Sequence, residues 1–373
     1  MHYLGEEIPK LGFGLMRLPK QGDEIDIEQT KAMVDRFLAA GFTYFDTAFG
    51  YVGSEAATKA ALVDRYPRSA YQLATKLPAW AGPKTAEEAK QMFYTSLERT
   101  GAGYFDYYLL HNCGESRTAP FDTFGIWEFV QDLKRQGLVK HVGFSFHDQA
   151  PVLDDLLTRH PEMEFVQLQI NYADWENHAV QSRACYEVAK KHQKPVIIME
   201  PVKGGLLANL PEPAEAILKE ANPVASPSSW AIRFAASLDH VITVLSGMSN
   251  MEQLEENIAT MSPLHPITKE EIAVLDRARE ALETLPTIPC TACHYCMKGC
   301  PMQINIPGIF VSMNRYLTYG DLENAKGSYA WETREGGVAS KCIGCKACEA
   351  VCPQHISIVE ELKKASGLLE ATT

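Results

Sequence analysis

Cysteine is scarce along the first 289 residues of this 373-residue chain, where only Cys113 and Cys185 occur; the other eight fall between positions 290 and 352. Such clustering argues for metal ligation and against a disulfide framework. An excess of basic residues is also missing, since 35 Lys and Arg face 47 Asp and Glu, for a net charge of −12. No basic stripe stands out to neutralise phosphates, so nucleic acid is excluded as an expected partner. No apolar run approaches the length that spans a bilayer, and the opening Met1-His2-Tyr3-Leu4-Gly5-Glu6-Glu7 lacks the charged-then-apolar pattern of a signal peptide. A cytoplasmic protein without a membrane segment is the expectation. Low-complexity tracts are absent as well. Nor does a G-x-G-x-x-G run follow the first strand-like stretch, which speaks against an open doubly wound dinucleotide-binding sheet.

What is present is a regular alternation. A short hairpin at residues 2–9, around Gly5-Glu6, leads into residues 11–18, which read as a first buried strand. Further strand-like runs lie near 42–46, 71–76, 105–111, 139–145, 165–170, 195–200 and 241–246. Between them run amphipathic segments at 28–40, 86–99, 122–136, 151–159, 178–192 and 227–238. Eight βα units with short connections predict an α/β fold that closes into a (β/α)8 TIM barrel, with an open doubly wound sheet as the alternative. Two more helices, about 250–260 and 268–283, precede a break at residues 284–289. The expected division is a barrel over 1–285 and a smaller, mainly helical cysteine-rich domain over 286–373.

Several strand patterns end in polar side chains: Asp46, with Tyr51 five residues on, then Lys76, then His111. In a parallel barrel the C-terminal strand ends carry the catalytic groups. Singly, each residue has an ordinary reading as a cap, a solvent-reaching lysine or a satisfied core histidine. Together they suit carbonyl reduction, because a phenol titrating near 10 needs a neighbouring cation to bring it toward neutrality as a proton donor.

These residues, within the wording FDTAFGY, LATKL and YYLLHN, resemble the aldo-keto reductases, whose Asp, Tyr, Lys and His tetrad falls on Asp46, Tyr51, Lys76 and His111. The resemblance covers about residues 3–283 and includes LGFGLMRL, QGLVKHVGFSFH, VQLQINY and SGMSNMEQLEEN. It implies an enzyme that transfers hydride between NAD(P)H at the barrel mouth and a small carbonyl-type substrate. Tyr51 would protonate the developing alkoxide, Lys76 would lower the phenol's pKa, Asp46 would hold Lys76, and His111 would orient the carbonyl oxygen. Ser145 and Gln167 match carboxamide-binding positions, with His147 a weaker candidate, and Gly14 is a further expected cofactor contact. The loop Lys203-Gly204-Gly205-Leu206, followed later by Ser249-Asn250 at the start of a helix, would hold dinucleotide phosphates. Glu256 and Asn257 match the adenine-contacting pair, whereas Gln253 stands where many relatives have an arginine for the 2′-phosphate. Met199 replaces the tyrosine that often stacks on the nicotinamide, which leaves room for a flavin to share the pocket. Cys113 and Cys185 read as buried apolar filler.

The most specific signals are two cysteine runs, Cys290-x2-Cys293-x2-Cys296-x3-Cys300-Pro301 and Cys342-x2-Cys345-x2-Cys348-x3-Cys352-Pro353. Each reproduces the bacterial ferredoxin run, in which three close thiolates wrap one 4Fe-4S cubane and the fourth reaches the other. On that rule Cys290, Cys293, Cys296 and Cys352 hold one cluster and Cys342, Cys345, Cys348 and Cys300 the second. Zinc would leave the third cysteine of each run unexplained. The helical spacer between the runs is similar to that of α-helical ferredoxin domains. The whole chain therefore resembles the aldo-keto reductases that carry a C-terminal dicluster domain.

Clusters move single electrons and nicotinamides move hydride, so the two ends do not exchange directly without a two-electron intermediary. The leading expectation is an oxidoreductase whose clusters relay electrons to or from a redox partner protein. Two alternatives stay open: an electron-transfer protein with the barrel as scaffold or flavin holder, and clusters with a purely structural role.

Overall fold

The computed structural model describes residues 3–178, 180–290, 294–352 and 354–371. Two compact units result, Met1–Leu207 with Ala225–Ile272, and Ala208–Val224 with Ala273–Thr373.

The first unit is a closed barrel of eight parallel strands. They are β1 (Leu11–Gly14), β2 (Tyr44–Asp46), β3 (Gln72–Leu77), β4 (Phe105–Cys113), β5 (Val139–Phe146), β6 (Phe165–Gln169), β7 (Val196–Met199) and β8 (Val241–Gly247). Each pairs with its neighbour in sequence, and β1 closes the ring against β8 through Leu11–Val244 and Phe13–Ser246. The principal helices around the ring are α1 (Ile27–Ala39), α2 (Ala86–Thr100), α3 (Ile126–Arg135), α4 (Ala150–Arg159), α5 (Ser182–Lys191), α6 (Pro227–Ser237) and α7 (Met251–Met261). Polar caps set several starts: Asp26, Thr85, Ser226 and Asn250 each accept a backbone N–H from the first turn. Inside the ring, Tyr44, Ala74, Tyr107, Leu109, Phe165, Ile197, Ile242 and Leu245 pack as one cluster, with Ile8, Tyr3 and Leu4 of the N-terminal turn against it. Strand β5 approaches β6 closely at Gly143, where any side chain would collide with the Phe165 carbonyl.

Three expectations need correction. The first strand stops at Gly14 and does not run to residue 18, because Leu15–Arg17 turn into a 3-10 helix whose Leu15 carbonyl accepts the Ser54 hydroxyl at 2.9 Å. The helix expected over 122–136 is two pieces, Ala119–Thr123 and α3, parted by Gly125 in the left-handed region at φ 62°. The segment expected to be helical from 178 begins only at Ser182. Among the described residues no helix is long and apolar enough to cross a membrane.

The second unit contains the helix Glu212–Ala221, most of Lys269–Glu283, and the cysteine-rich module. The module is built on α8 (Ile306–Tyr319), α9 (Leu322–Glu332) and α10 (Ile358–Leu369). Its core joins Ile288, Ile304, Ile309, Phe310, Met313 and Leu362 to the buried Cys296 and Cys348. Asn314 pins the incoming chain by bonding both ways with Ile288, at 2.8 and 2.9 Å.

Candidate active site

The barrel places the four strand-end residues together. Asp46 ends β2 in register with Ala74 of β3, so Lys76 emerges two residues further along the neighbouring strand. The chain after β2 stays zipped to β3, Thr47 N–H donating to Ala74 O at 2.9 Å and Phe49 N–H to Lys76 O at 3.1 Å. A fixed path therefore carries Tyr51 over Lys76. Glu55, fully buried, anchors the far end of this loop by accepting from Thr75 Oγ1 at 2.9 Å.

Lys76 is buried, and its Nζ donates to the Asp46 carboxylate and, at 2.8 Å, to Thr47 O. Gln167 Nε2 donates to the other Asp46 oxygen at 3.1 Å. The Lys76 ammonium lies 5.0 Å from the centre of the half-buried Tyr51 ring, and that ring meets His111 edge to face at 5.8 Å. Burial alone would lower the Lys76 pKa, but Asp46 and the Tyr51 oxygen outweigh it and hold the ammonium above its ordinary value. Burial, then the Lys76 charge, keep His111 well below the ordinary imidazole value, so the ring is neutral. Its Nδ1 is buried without a hydrogen-bond partner.

The phenol departs from expectation. Burial raises the Tyr51 pKa, Lys76 lowers it and Asp46 raises it again, and the balance is upward. The ammonium acts as anticipated, but its charge is largely answered by Asp46 at contact distance. Burial therefore outweighs the ammonium at this phenol.

The expected cofactor positions divide into two groups. Ser145 and Gln167 stand opposite each other on β5 and β6 near the tetrad, with Ser145 Oγ accepting from Asn112 N–H at 2.8 Å. Met199 ends β7, half-buried, and Gly14 ends β1 beside Gly247. Gly204 and Gly205 adopt φ of 67° and 101°, and a side chain at Gly205 would meet open space, a backbone cradle suited to a phosphate. Leu206 is buried. Lys203, Gln253, Glu256 and Asn257 are instead engaged within the protein. Lys203 pairs with the buried Asp174, Gln253 bonds back to Ser249 N–H at 2.8 Å, Glu256 accepts from Ser226 and Ser228, and Asn257 donates to Ser246 Oγ at 2.9 Å. Asn250 caps α7 through Gln253 N–H at 2.9 Å.

Sequence reasoning missed the residues that brace this mouth. Arg17 donates to Gly204 O while its own carbonyl accepts from Ser249 Oγ at 2.8 Å, tying the loops after β1, β7 and β8 together. Trp80 holds the backbone of His111 through a 2.7 Å indole bond and carries Arg117 over its face at 5.1 Å. Asp174 receives Asn171 and Gln169 amides at 2.9 and 3.1 Å besides Lys203; burial would raise its carboxyl, and these partners hold it below the ordinary range. Lys203→Met is expected to cost about 3–5 kcal/mol in urea denaturation, because Asp174 would be left buried and unpaired, and adding Asp174→Asn should recover much of the loss.

In the module, Cys290, Cys296 and Cys352 line one recess with Ile306, Pro307 and Phe310. Cys300, Cys342, Cys345 and Cys348 line another. Cys293 lies outside the described residues. Among the described residues no three His, Cys, Asp or Glu converge as ligands of a single ion. Thiols spread around two apolar recesses fit clusters, in which each cysteine binds its own iron.

A parallel barrel with a buried Asp–Lys pair under a phenol and an imidazole, together with a thiol-lined helical module, defines a barrel oxidoreductase with a ferredoxin-like appendage. Comparison with known proteins agrees. The chain belongs to the aldo/keto reductase family, whose sequence profile matches residues 10–280, and a 4Fe-4S dicluster domain matches residues 289–357. An aldo-keto reductase of Mycolicibacterium vanbaalenii is 28% identical over 275 residues, 72% of this chain and 88% of that protein. One from Mycobacterium sp. strain KMS is 30% identical over 141 residues, 38% of this chain and only about half (47%) of that protein. Among solved structures, aldo-keto reductase AKR11C1 from Bacillus halodurans superposes with a TM-score of 0.60 at 24% identity, covering 74% of this chain and 95% of that one. A Klebsiella pneumoniae aldo-keto reductase determined with NADPH gives 0.58 at 22%, covering 72% and 90%.

Proposed function

We propose that the barrel reduces a small carbonyl-type substrate using NAD(P)H, and that the cysteine module carries two 4Fe-4S clusters that exchange electrons with a partner. One observation carries the barrel half: Lys76 is buried between Asp46 and Tyr51, beside a neutral His111 with an unused ring nitrogen. A bound nicotinamide supplies the hydride. Tyr51 holds the proton that the substrate oxygen takes up, and its raised pKa keeps that proton in place until the oxygen becomes basic. Lys76 stabilises the phenolate left behind, and Asp46, fixed by Gln167, keeps the ammonium charged in a buried setting. Neutral His111 has a ring N–H to offer the carbonyl oxygen without competing as an acid.

On this reading Ser145 and Gln167 would meet the carboxamide, and the Gly204-Gly205 cradle braced by Arg17 the pyrophosphate. A structural role for the clusters is the second reading, favoured by Cys296 and Cys348 being part of the module's apolar core. Fluorescence titration of the full-length protein with NADH and NADPH tests the barrel half. Both should bind saturably, and NADPH by no more than about tenfold more tightly, since Gln253 offers no charge-assisted bond to a 2′-phosphate. Binding of neither removes the hydride-transfer reading.

A further inference from the structure

Charge is unevenly placed along the chain. Residues 286–373 hold eight Lys or Arg and eight Asp or Glu, so the whole net charge of −12 resides in the first 285 positions. Within the module the cysteine runs are the basic part, with Lys298, Lys341 and Lys346 in or beside them and Glu349 their single acid. All three lysines are exposed, and among the described residues none has a carboxylate partner, unlike Lys364, which pairs with Glu361. Glu349 is turned to its own fold, accepting from Val359 N–H at 2.9 Å.

This basic character surrounds one recess in particular. Residues 343–347 are exposed without a break, and Cys345 is the exposed thiol among the described module cysteines. Ile343 is 64% exposed, and both it and Lys346 line the recess that Cys345 shares with Cys300, Cys342 and Cys348. The helical turn Tyr295–Lys298 packs against Ala347–Ala350, bringing Lys298 and the 62% exposed Tyr295 to the same neighbourhood. Exposed Ile343 and Lys346 thus border a thiol that reaches solvent, with the exposed Lys341 next to Cys342 and Lys298 two residues before Cys300 of the same recess, and these three positive charges exceed the charge of about −2 that a 4Fe-4S cluster with four thiolates would bring.

We propose that this rim, made of Lys298, Lys341, Ile343 and Lys346 around Cys345, is the docking face for an acidic one-electron carrier protein. The proposal rests on the reading that the module's cysteines hold clusters. A carrier encounter of this kind is brief and buries little area, so charge complementarity governs its rate more than its lifetime. The acidic remainder of the chain repels an acidic carrier, and the basic rim is where that repulsion reverses. One electron passes from the reduced carrier to the cluster behind Cys345, with no proton moved and no covalent bond made or broken.

The test uses the anaerobically isolated full-length protein and a reduced acidic plant-type 2Fe-2S ferredoxin as donor, mixed in stopped flow. Iron content and the reduced-state EPR spectrum are recorded first for every variant. An iron-free wild type overturns the cluster reading itself. With clusters present, Lys341→Glu/Lys346→Glu is expected to lower the second-order rate constant about tenfold or more at low salt, the difference closing as ionic strength rises. Calorimetry with the oxidised ferredoxin should show the matching loss of binding. Reduction by a photogenerated deazaflavin radical should keep its wild-type rate, showing that the cluster itself is intact. A loaded variant with an unchanged ferredoxin rate overturns the docking face, as does an equal fall in the barrel variant Lys20→Glu/Lys84→Glu, which removes the same charge elsewhere.

Discussion

Tyr51→Phe should lower kcat for nicotinamide-dependent carbonyl reduction by about 10²–10⁴-fold, the range over which a positioned proton donor acts. The substitution deletes one oxygen and leaves the ring that meets His111 at 5.8 Å and Lys76 at 5.0 Å. The loop around it is held by Thr47, Phe49 and Ser54 through bonds that do not involve the phenol. Stability should therefore fall by no more than about 1.5 kcal/mol, the worth of a single hydrogen bond. Nicotinamide affinity should stay near that of the wild type, placing the loss in kcat. The pH profile adds a second check. Because the Tyr51 pKa lies above the ordinary phenol value, reduction should persist as pH rises to that value and decline only beyond it. Turnover near wild type in the folded variant would remove Tyr51 from the chemistry.

The local order of the chain made much of this site legible. Each barrel strand is a short apolar run bounded by turn residues, and each tetrad member sits in the last residues of a strand or just past its end, so their convergence follows from closing the ring. The cysteine spacing was equally direct. What the sequence hid is what depends on distant partners. Asp174 and Lys203 lie 29 positions apart and pair only because β6 and β7 are neighbours, so a lysine that reads as a phosphate ligand is committed to an internal carboxylate. Arg17 looks like the end of a strand, yet the turn at Leu15–Arg17 swings it across two other loops. The helix Glu212–Ala221 begins among prolines at Pro211 and Pro213, a composition that reads as loop. The sign of the Tyr51 shift is set first by burial and then by the opposed charges of Lys76 and Asp46, which no spacing rule contains.

The cysteine module offers a result of comparable size. Cys290→Ala/Cys352→Ala should lose roughly half the iron, about four atoms, while Cys345→Ala/Cys352→Ala should lose nearly all of it. Cys352 closes the second run in sequence, but it lines the recess of Cys290 and Cys296, whereas Cys300, which closes the first run, lines the recess of Cys342, Cys345 and Cys348. The short turn of helix inside each run carries its last cysteine away from its own group and toward the other, and the two turns, Tyr295–Lys298 and Ala347–Ala350, pack on one another to permit the exchange. The first double variant therefore strikes one recess twice, and the second strikes both recesses once. If each run instead held its own cluster, the outcomes would reverse: removing Cys290 and Cys352 would empty both, and removing Cys345 and Cys352 would empty one. Colorimetric iron analysis on the folded variants, with EPR after reduction to count the surviving spin systems, separates the two arrangements without any reference to substrate.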